Sequence, residues 1–280
     1  MKAALLQLNS SDNPRENLEM TLALFNAAVA QGANFILTPE VTNCVSTSRA
    51  HQSRVLQYEQ DDITLKALCH AARSANVWLL IGSLALKTAD PEGRFANRSF
   101  LIGPDGQTKA RYDKIHMFDV LLSDREHYNE SAGYRPGDKA VTCQTDFGTL
   151  GLTICYDLRF PNLYRDLAQN GAQIITVPSA FAVTTGKAHW ETLLRARAIE
   201  TGSFILAPAQ HGEHGSSTGK ARTTFGHTMA VAPWGEVIAL LAEETGFCMV
   251  DINLDDVDSA RSRVPSLFNQ QRYLGPEHER

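Results

Sequence analysis

The stretch LGLTICYDLRFP, residues 150–161, decides the fold that we expect for this chain. Its apolar and β-branched beginning stops at Cys155, which is typical of a short buried strand, and the residues after Pro161 have helical spacing. We therefore predict a strand, a sharp turn and a helix. Such a turn holds the Cys155 side chain at the carboxyl end of a strand, near a helix amino terminus that favours negative charge. Cys155 is a candidate nucleophile, although a lone strand cysteine is more often a small buried hydrophobic residue.

Strand-like and helix-like segments alternate on both sides of this stretch. The predicted strands cover residues 3–8, 35–37, 78–86, 174–177, 204–207, 228–232, 237–241 and 247–252, with a hairpin over 99–113 and another that turns at 146–148. The predicted helices cover residues 14–31, 63–75 and 187–201. No linker or low-complexity tract divides the chain, so we predict an α/β fold in which two sheets are faced by helices. We expect one domain over residues 1–268 and a C-terminal tail over 269–280.

Two segments of the chain resemble each other. AQGANFILTP at 30–39 and QNGAQIITVP at 169–178 each combine a helix end, a Gly-Ala turn and a strand closed by proline. A pair of two-fold related α/β units would produce this similarity. Because helix, glycine turn and strand follow one another in many proteins, chance explains the similarity equally well.

Composition and cysteine usage exclude several classes of protein. With a formal net charge of −5 over 280 residues, the chain has no basic stripe for a nucleic acid partner. The cysteines are odd in number, scattered and never in a C-x-x-C pair, so we expect neither disulfides nor a metal, and a reducing cytoplasm fits best. The apolar run at residues 3–6 is too short for a signal peptide or a membrane span. We expect no cofactor and no membrane partner.

Two further polar residues stand where predicted strands end. Glu40 follows the strand at 35–37, and Lys114 follows the hairpin strand that ends at residue 113. Either residue alone is ordinarily a solvated surface side chain. A glutamate, a lysine and a cysteine that each follow a strand are expected to meet, because α/β proteins place their sites at strand ends.

The segments around these residues resemble the three catalytic signatures of the nitrilase, or carbon–nitrogen hydrolase, superfamily. They are ILTPE at 36–40, YDKIHMFD at 112–119 and GLTICYDLRFP at 151–161, accompanied by GHT at 226–228 and PWG at 233–235. The resemblance implies a four-layer α-β-β-α sandwich that assembles as a homodimer or a larger homo-oligomer. It also implies that Glu40 is the general base, Lys114 the oxyanion stabiliser and Cys155 the nucleophile. A second family glutamate matches Glu130 in YNES at 128–131.

Other segments indicate the branch of the superfamily. TTGKAHWE at 184–191 and LRARAIET at 194–201 are similar to the amidases that act on deaminated glutathione and on α-ketoglutaramate. True nitrilases tend to carry a Trp-Glu pair after the cysteine, and this chain has none there. The segments 114–119 and 193–201 favour the deaminated-glutathione branch, and an ω-amidase acting on α-ketoglutaramate is the alternative. The resemblance thus implies a small-molecule amide substrate.

A cysteine nucleophile requires a group that takes its proton and donors that stabilise the oxyanion. An ordinary thiol has a pKa near 8.5, so it needs a base or an electropositive environment. We expect Lys114 to favour the thiolate and burial to raise the pKa of Glu40 toward neutrality. Lys114 and the backbone N–H of Tyr156 would stabilise the oxyanion. Glu130 would hold Lys114 in place.

The expected substrates carry carboxylates, so we expect a cationic side chain that binds them. Arg159, at the mouth of the turn after Cys155, is a candidate because a guanidinium binds a carboxylate with two parallel hydrogen bonds. Pairing of Arg159 with a structural acid is equally compatible with the sequence. Phe181 and Thr185, after the strand at 174–177, are candidates for lining the substrate pocket.

Other interpretations are weaker. GSSTGKA at 215–221 has one residue too few between its glycines for a phosphate-binding loop, so we predict a mobile surface loop there. His211 and His214 have metal-like spacing without further ligands. A cysteine–histidine hydrolase that uses His116 or His189 lacks a recognisable signature. A catalytically silent binding scaffold is the alternative outside enzymes, although such proteins usually lose a catalytic residue.

Overall fold

The computed structural model describes residues 1–123, 126–269 and 271–275. Its strands are β1 Lys2–Gln7, β2 Phe35–Leu37, β3 Trp78–Leu86, β4 Ala96–Ile102, β5 Thr108–Asp113, β6 Asp119–Ser123, β7 Glu126–Asn129, β8 Val141–Thr145, β9 Gly148–Leu152, β10 Ile174–Thr176, β11 Phe204–Ala207, β12 His211–Glu213, β13 Thr223–Phe225, β14 Thr228–Val231, β15 Val237–Leu241 and β16 Gly246–Asp251. Its helices are α1 Pro14–Ala30, α2 Arg49–Val55, α3 Ile63–Ala75, α4 Pro161–Gln169, α5 Val183–Thr201 and α6 Asp255–Arg263, with 3₁₀ turns at Glu130–Ala132 and Cys155–Arg159. The strands and helices predicted from the sequence are therefore confirmed, most within one or two residues of their predicted ends.

Helix ends follow the local chemistry of their sequences. The α1 helix begins at Pro14, and the side chain of Asn13 accepts a hydrogen bond from the N–H of Arg15. The α3 helix begins after Asp62, whose carboxylate accepts from the N–H of Leu65 at 2.8 Å, and ends at Asn76 in the left-handed conformation. These caps fix where the chain turns back toward the next strand.

Two six-stranded mixed sheets carry the fold within the described residues. The first has the strand order β16-β1-β2-β3-β4-β5, and the second has the order β15-β14-β11-β10-β9-β8. In the first sheet β1, β2 and β3 are parallel, and the flanking pairs are antiparallel. In the second sheet β9, β10 and β11 are parallel, and again the flanking pairs are antiparallel.

The two sheets therefore repeat one topology. The segments 30–39 and 169–178 lead into β2 and β10, which are the middle strands of the two parallel trios. In each half a helix precedes this strand, and helices connect it to the next parallel strand: α2 and α3 in the first half and α5 in the second. A two-fold related pair of α/β units thus accounts for the similarity that the sequence shows.

Alternating side chains build the layers. On β1, Ala3 and Leu5 pack toward the second sheet, whereas Ala4 and Leu6 pack under helices α1 and α3. Helices α4 and α5 cover the other sheet with buried side chains that include Tyr164, Trp190 and Leu194. The layers run helix, sheet, sheet, helix, so the predicted four-layer α-β-β-α sandwich is confirmed.

Some elements were not predicted. They are the short helix α2, the hairpin of β6 and β7, the two-stranded sheet of β12 and β13, and the helix α6. The predicted tail at 269–280 lies partly outside the described residues, and the boundary at residue 268 stays a prediction. None of the helices in the described part of the chain is long and apolar enough to span a membrane.

Candidate active site

Cys155 lies at a sharp turn between β9 and α4. Its φ angle of 49° falls in the left-handed region, which a residue with a side chain rarely adopts. Its backbone N–H donates to the carbonyl of Pro178 at 3.0 Å, which anchors the turn to the segment after β10. Strained backbone of this kind is concentrated at functional sites. The strand, turn and helix predicted for residues 150–168 are confirmed, and a 3₁₀ turn forms the corner.

Glu40 is a buried carboxylate held by three donors. Its Oε1 accepts from Lys114 Nζ at 2.8 Å and from Asn97 Nδ2 at 2.8 Å. Its Oε2 accepts from the backbone N–H of Ala180 at 2.8 Å. Since Ala180 follows β10 and Glu40 follows β2, this contact joins the carboxyl ends of the two middle strands.

Lys114 lies between two carboxylates, and its side chain is only 2% exposed. Its Nζ donates to Glu40 and to both carboxylate oxygens of Glu130, at 2.9 and 2.8 Å. Glu130 is fixed in turn, because its Oε2 accepts from the backbone N–H of Phe118 at 2.6 Å. The structure thus brings together the glutamates, the lysine and the cysteine that the sequence singled out.

The charges of this cluster set the ionisation of Glu40 and Lys114. Burial raises the pKa of Glu40, but the charge and hydrogen bond of Lys114, together with Arg222, outweigh burial and hold that pKa below its ordinary value. The expectation that the pKa of Glu40 rises toward neutrality was therefore wrong. Burial lowers the pKa of Lys114, but Glu130 and Glu40 outweigh it and hold that pKa well above its ordinary value. The resting site contains an ionised Glu40 and a charged Lys114.

Cys155 is a neutral thiol in the resting site. Burial raises the pKa of the Cys155 thiol, and the neighbouring negative charge of Glu40 raises it further. Lys114 lowers this pKa, but by less, because two carboxylates already pair with the Lys114 charge. Lys114 thus favours the thiolate, as expected, but burial and Glu40 outweigh its effect on the pKa of Cys155. The arrangement suits removal of the thiol proton by Glu40 as the sulfur attacks.

The cluster opens into a cavity of about 900 Å³. The walls come from the loop after Glu40, the β6–β7 hairpin, the segment 180–185 and the loop residues 220–223. Three of the predicted substrate-binding residues, Tyr156, Phe181 and Thr185, line it. A cavity of this size accommodates a ligand of several residues rather than a single small group.

Arg159 lies beside this cavity and is not among its lining residues in the described part of the chain. Its guanidinium is 3.2 Å from His189 Nδ1 and stacks over the rings of Tyr156 and Phe181, with the guanidinium carbon 5.9 and 5.5 Å from the ring centres. Arg159 therefore supports two side chains that do line the cavity. Its role as a carboxylate clamp stays a prediction.

The histidines considered from the sequence are engaged elsewhere. His116 Nδ1 lies 2.7 Å from Asp157 Oδ1, and His189 contacts Arg159, so neither forms a cysteine–histidine pair in the cavity. Both ring nitrogens of His214 are hydrogen bonded, to the carbonyl of Ser10 and to the hydroxyl of Thr224. Over residues 1–123, 126–269 and 271–275, no group of three or more His, Cys, Asp or Glu side chains is arranged to hold a metal ion.

Several cavity residues were missed by the sequence analysis. Asn97 binds Glu40 and lies 3.4 Å from Glu130, and the cations Arg49, Lys220 and Arg222 belong to the lining. Asn97 lies within β4 and the cations lie in α2 or a glycine-rich loop, so no motif marks them. The loop at 215–221 thus includes cavity wall, and its mobility stays a prediction.

Comparison with known proteins identifies the family of this chain. The sequence profile of the carbon–nitrogen hydrolase family matches residues 2–262. A deaminated glutathione amidase from Synechocystis sp. is 40% identical over 95% of this chain and 96% of the relative, and one from Yersinia enterocolitica is 39% identical over 94% and 91%. The crystal structure of the Caenorhabditis elegans NitFhit protein superposes with a TM-score of 0.88 and 32% identity, over 96% of this chain and 65% of that longer one. This chain therefore belongs to the carbon–nitrogen hydrolase family.

Proposed function

We propose that this amide-hydrolysing enzyme is a deaminated glutathione amidase, which cleaves deaminated glutathione into 2-oxoglutarate and cysteinylglycine. The observation that carries the proposal is the buried cluster of Cys155, Glu40 and Lys114 at the end of a cavity large enough for a tripeptide-sized amide. The names and the near-complete overlap of the two bacterial relatives support the same substrate. An α/β sandwich alone would not indicate a substrate, because folds host many activities.

In the first half of the reaction the enzyme is acylated. The Cys155 sulfur attacks the amide carbonyl while Glu40 takes the thiol proton. The oxyanion of the tetrahedral intermediate is stabilised by the Lys114 ammonium and the Tyr156 backbone N–H. Glu40 then gives its proton to the departing nitrogen, the carbon–nitrogen bond breaks, and the acyl group remains as a thioester on Cys155.

In the second half water releases the acid. Glu40, again ionised, takes a proton from a water molecule that attacks the thioester carbonyl, and the same donors stabilise the second oxyanion. Collapse of this intermediate expels the Cys155 sulfur, which recovers a proton from Glu40. Glu130 is a positioning residue, since it contacts Lys114 and the Phe118 backbone. Phe181 and Thr185 shape the substrate pocket.

An ω-amidase acting on α-ketoglutaramate is the second candidate. This substrate carries the same 2-oxoglutaryl acyl group and would present the same carbonyl to Cys155. Only the leaving group differs, because ammonia departs in place of cysteinylglycine.

The deciding experiment measures 2-oxoglutarate release from both amides in parallel. We expect kcat/KM to favour deaminated glutathione, and Cys155→Ser to abolish release of 2-oxoglutarate from either amide. A preference for α-ketoglutaramate would overturn the proposal in favour of an ω-amidase. No release from either amide by a folded wild-type enzyme would overturn both assignments.

We also propose that the protein acts in the cytoplasm as a homodimer or a larger homo-oligomer. All five cysteines are free, which suits a reducing compartment. Support for assembly comes from exposed apolar side chains on and near β15, which we call the β15 patch: Ile199, Trp234, Val237, Ile238 and Leu240. Each of these side chains is at least 36% exposed.

A further inference from the structure

Arg222 differs from Arg49, which also lines the cavity, in how its donors are used. Arg49 directs its guanidinium at backbone carbonyls of Ala132, Glu92 and Gly93. Arg222 Nη2 donates a hydrogen bond to the carbonyl of Ala180 at 2.6 Å. Its Nε is buried and has no hydrogen-bond partner among the described residues. A buried N–H without an acceptor is rare in proteins and calls for an explanation.

No carboxylate of the described residues forms an ion pair with Arg222. Its guanidinium carbon is 5.9 Å from the centre of the Tyr128 ring, a contact that orients the group without neutralising it. Arg222 therefore places a positive charge at a fixed position in the cavity wall, and its guanidinium has N–H groups that lack an acceptor. A carboxylate fits this requirement, since a guanidinium presents paired N–H groups with matching geometry.

The position of Arg222 indicates which part of the substrate it meets. Arg222 holds the carbonyl of Ala180, and the N–H of the same residue holds Glu40 Oε2 at 2.8 Å. In the proposed reaction Glu40 protonates the leaving nitrogen, whereas Lys114 faces the oxyanion. Arg222 thus lies on the side of the cluster that faces the leaving amine.

We propose that Arg222 binds a carboxylate on the amine portion of the substrate, and so selects amides whose leaving group is an anionic amino acid or peptide. The inference rests on the proposed function. Cysteinylglycine carries such a carboxylate at its C-terminus, whereas the ammonia that leaves α-ketoglutaramate has none. Arg222 then distinguishes the two candidate substrates.

The test compares wild type and Arg222→Gln on three amides with the same acyl group. They are deaminated glutathione, its C-terminal carboxamide, and α-ketoglutaramate. Any effect of the substitution on Ala180 and Glu40 is common to all three amides. We therefore expect the substitution to lower kcat/KM for deaminated glutathione about 10- to 100-fold more than for the other two, because their leaving groups carry no carboxylate. For the wild-type enzyme, kcat/KM should be lower by a similar factor for the C-terminal carboxamide than for deaminated glutathione.

Two further variants act as controls. Arg222→Lys keeps the charge but not the paired donors, so it should recover part of the activity on deaminated glutathione. Lys139→Gln removes an exposed positive charge outside the cavity lining and should leave all three substrates unchanged.

The outcomes separate the inference from the proposed function. Equal losses on all three amides would overturn the inference, since Arg222 would then act only by holding Ala180 and Glu40. Unchanged kinetics in Arg222→Gln would also overturn it. A wild-type enzyme that hydrolyses α-ketoglutaramate alone would overturn the proposed function, and the inference with it.

Discussion

At the scale of single residues, the site places a neutral thiol beside an ionised carboxylate, which suits the proposed nucleophile and the proposed base. The pKa of Cys155 is raised by burial and by Glu40, and the pKa of Glu40 is lowered because Lys114 and Arg222 outweigh its burial. A thiolate beside Glu40 would place two negative charges together in a buried space. The proton therefore stays on sulfur until a substrate carbonyl is there to be attacked.

This ionisation predicts the acid limb of the pH profile. Glu40 must be ionised to act as the base, so activity is lost as pH falls through its pKa. Because that pKa is held below the ordinary value of 4.5, kcat/KM should stay constant from neutral pH down to about pH 5.5, where a group with a pKa of 4.5 is about 90% ionised. The measurement is kcat/KM against pH, with circular dichroism to confirm folding at each point. An acid limb centred above pH 4.5 would contradict the assignment.

Asn97 provides a matched variant for the same measurement. Asn97→Asp replaces an amide donor, 2.8 Å from Glu40 Oε1, with a carboxyl group of nearly the same shape. An added negative charge raises the pKa of a neighbouring carboxyl group, so the acid limb should move up by about one to two pH units. If Asn97→Asp folds and the acid limb of its pH profile does not move, a group other than Glu40 controls that limb.

At the scale of elements, one buried carboxylate joins the turn that carries Cys155 to the strand that leads to Lys114. Asp157 Oδ2 accepts from the Tyr112 hydroxyl at 2.6 Å and from the N–H of Ile154 at 2.9 Å. Its Oδ1 accepts from the N–H of His116 at 3.0 Å and lies 2.7 Å from His116 Nδ1. Both sides of the catalytic cluster thus depend on a single side chain.

Replacing Asp157 should destabilise the protein. In Asp157→Asn, the amide N–H groups would face donors that the carboxylate now satisfies, so we expect a loss of about 2–3 kcal/mol in the free energy of unfolding. Tyr112→Phe removes only one of the donors and should cost about 1 kcal/mol. Urea unfolding of both variants checks this order. Equal costs would contradict the role given to Asp157.

The elements found from the sequence are those whose apolar pattern is local. The strands Phe35–Leu37 and Trp78–Leu86 are buried along their whole length, and such runs are recognisable without tertiary context. The helix α2 and the strand β7 have the sequences RAHQSRV and EHYN, which carry almost no apolar signal. Their structure depends on packing around the cavity, which a single sequence does not show.

At the scale of the whole molecule, the repeated topology explains why the cluster of proposed catalytic residues could be predicted from the sequence and the rest of the cavity could not. Glu40 and Cys155 follow strands of the two halves, so their positions follow from the fold. Arg222 lies on a loop that is fixed by distant contacts, such as the bond from the Thr47 hydroxyl to the Lys220 carbonyl at 2.8 Å. Contacts between residues so far apart in sequence leave no local pattern.

The assembly proposed for the protein is also a property at this scale. The β15 patch combines an edge strand of the second sheet with Ile199, near the carboxyl end of α5. An edge strand with apolar, exposed side chains is a surface that proteins usually cover. The amino end of α5, at Val183 and Thr185, lines the cavity instead. One rigid helix thus connects the proposed interface to the site.

Ile199→Glu should therefore dissociate the assembly without stopping the chemistry. The substitution places a charge in an apolar contact, where it loses its hydration without gaining a partner, and this favours monomers. Tyr58→Glu, at a residue that is 46% exposed and outside the β15 patch, should leave the assembly intact. Sedimentation velocity over a range of concentrations measures the state of each variant. Since Glu40, Lys114 and Cys155 meet within one chain, kcat should fall less than about tenfold on dissociation. A monomeric wild type, or an unchanged assembly in Ile199→Glu, would show that the β15 patch is not the interface.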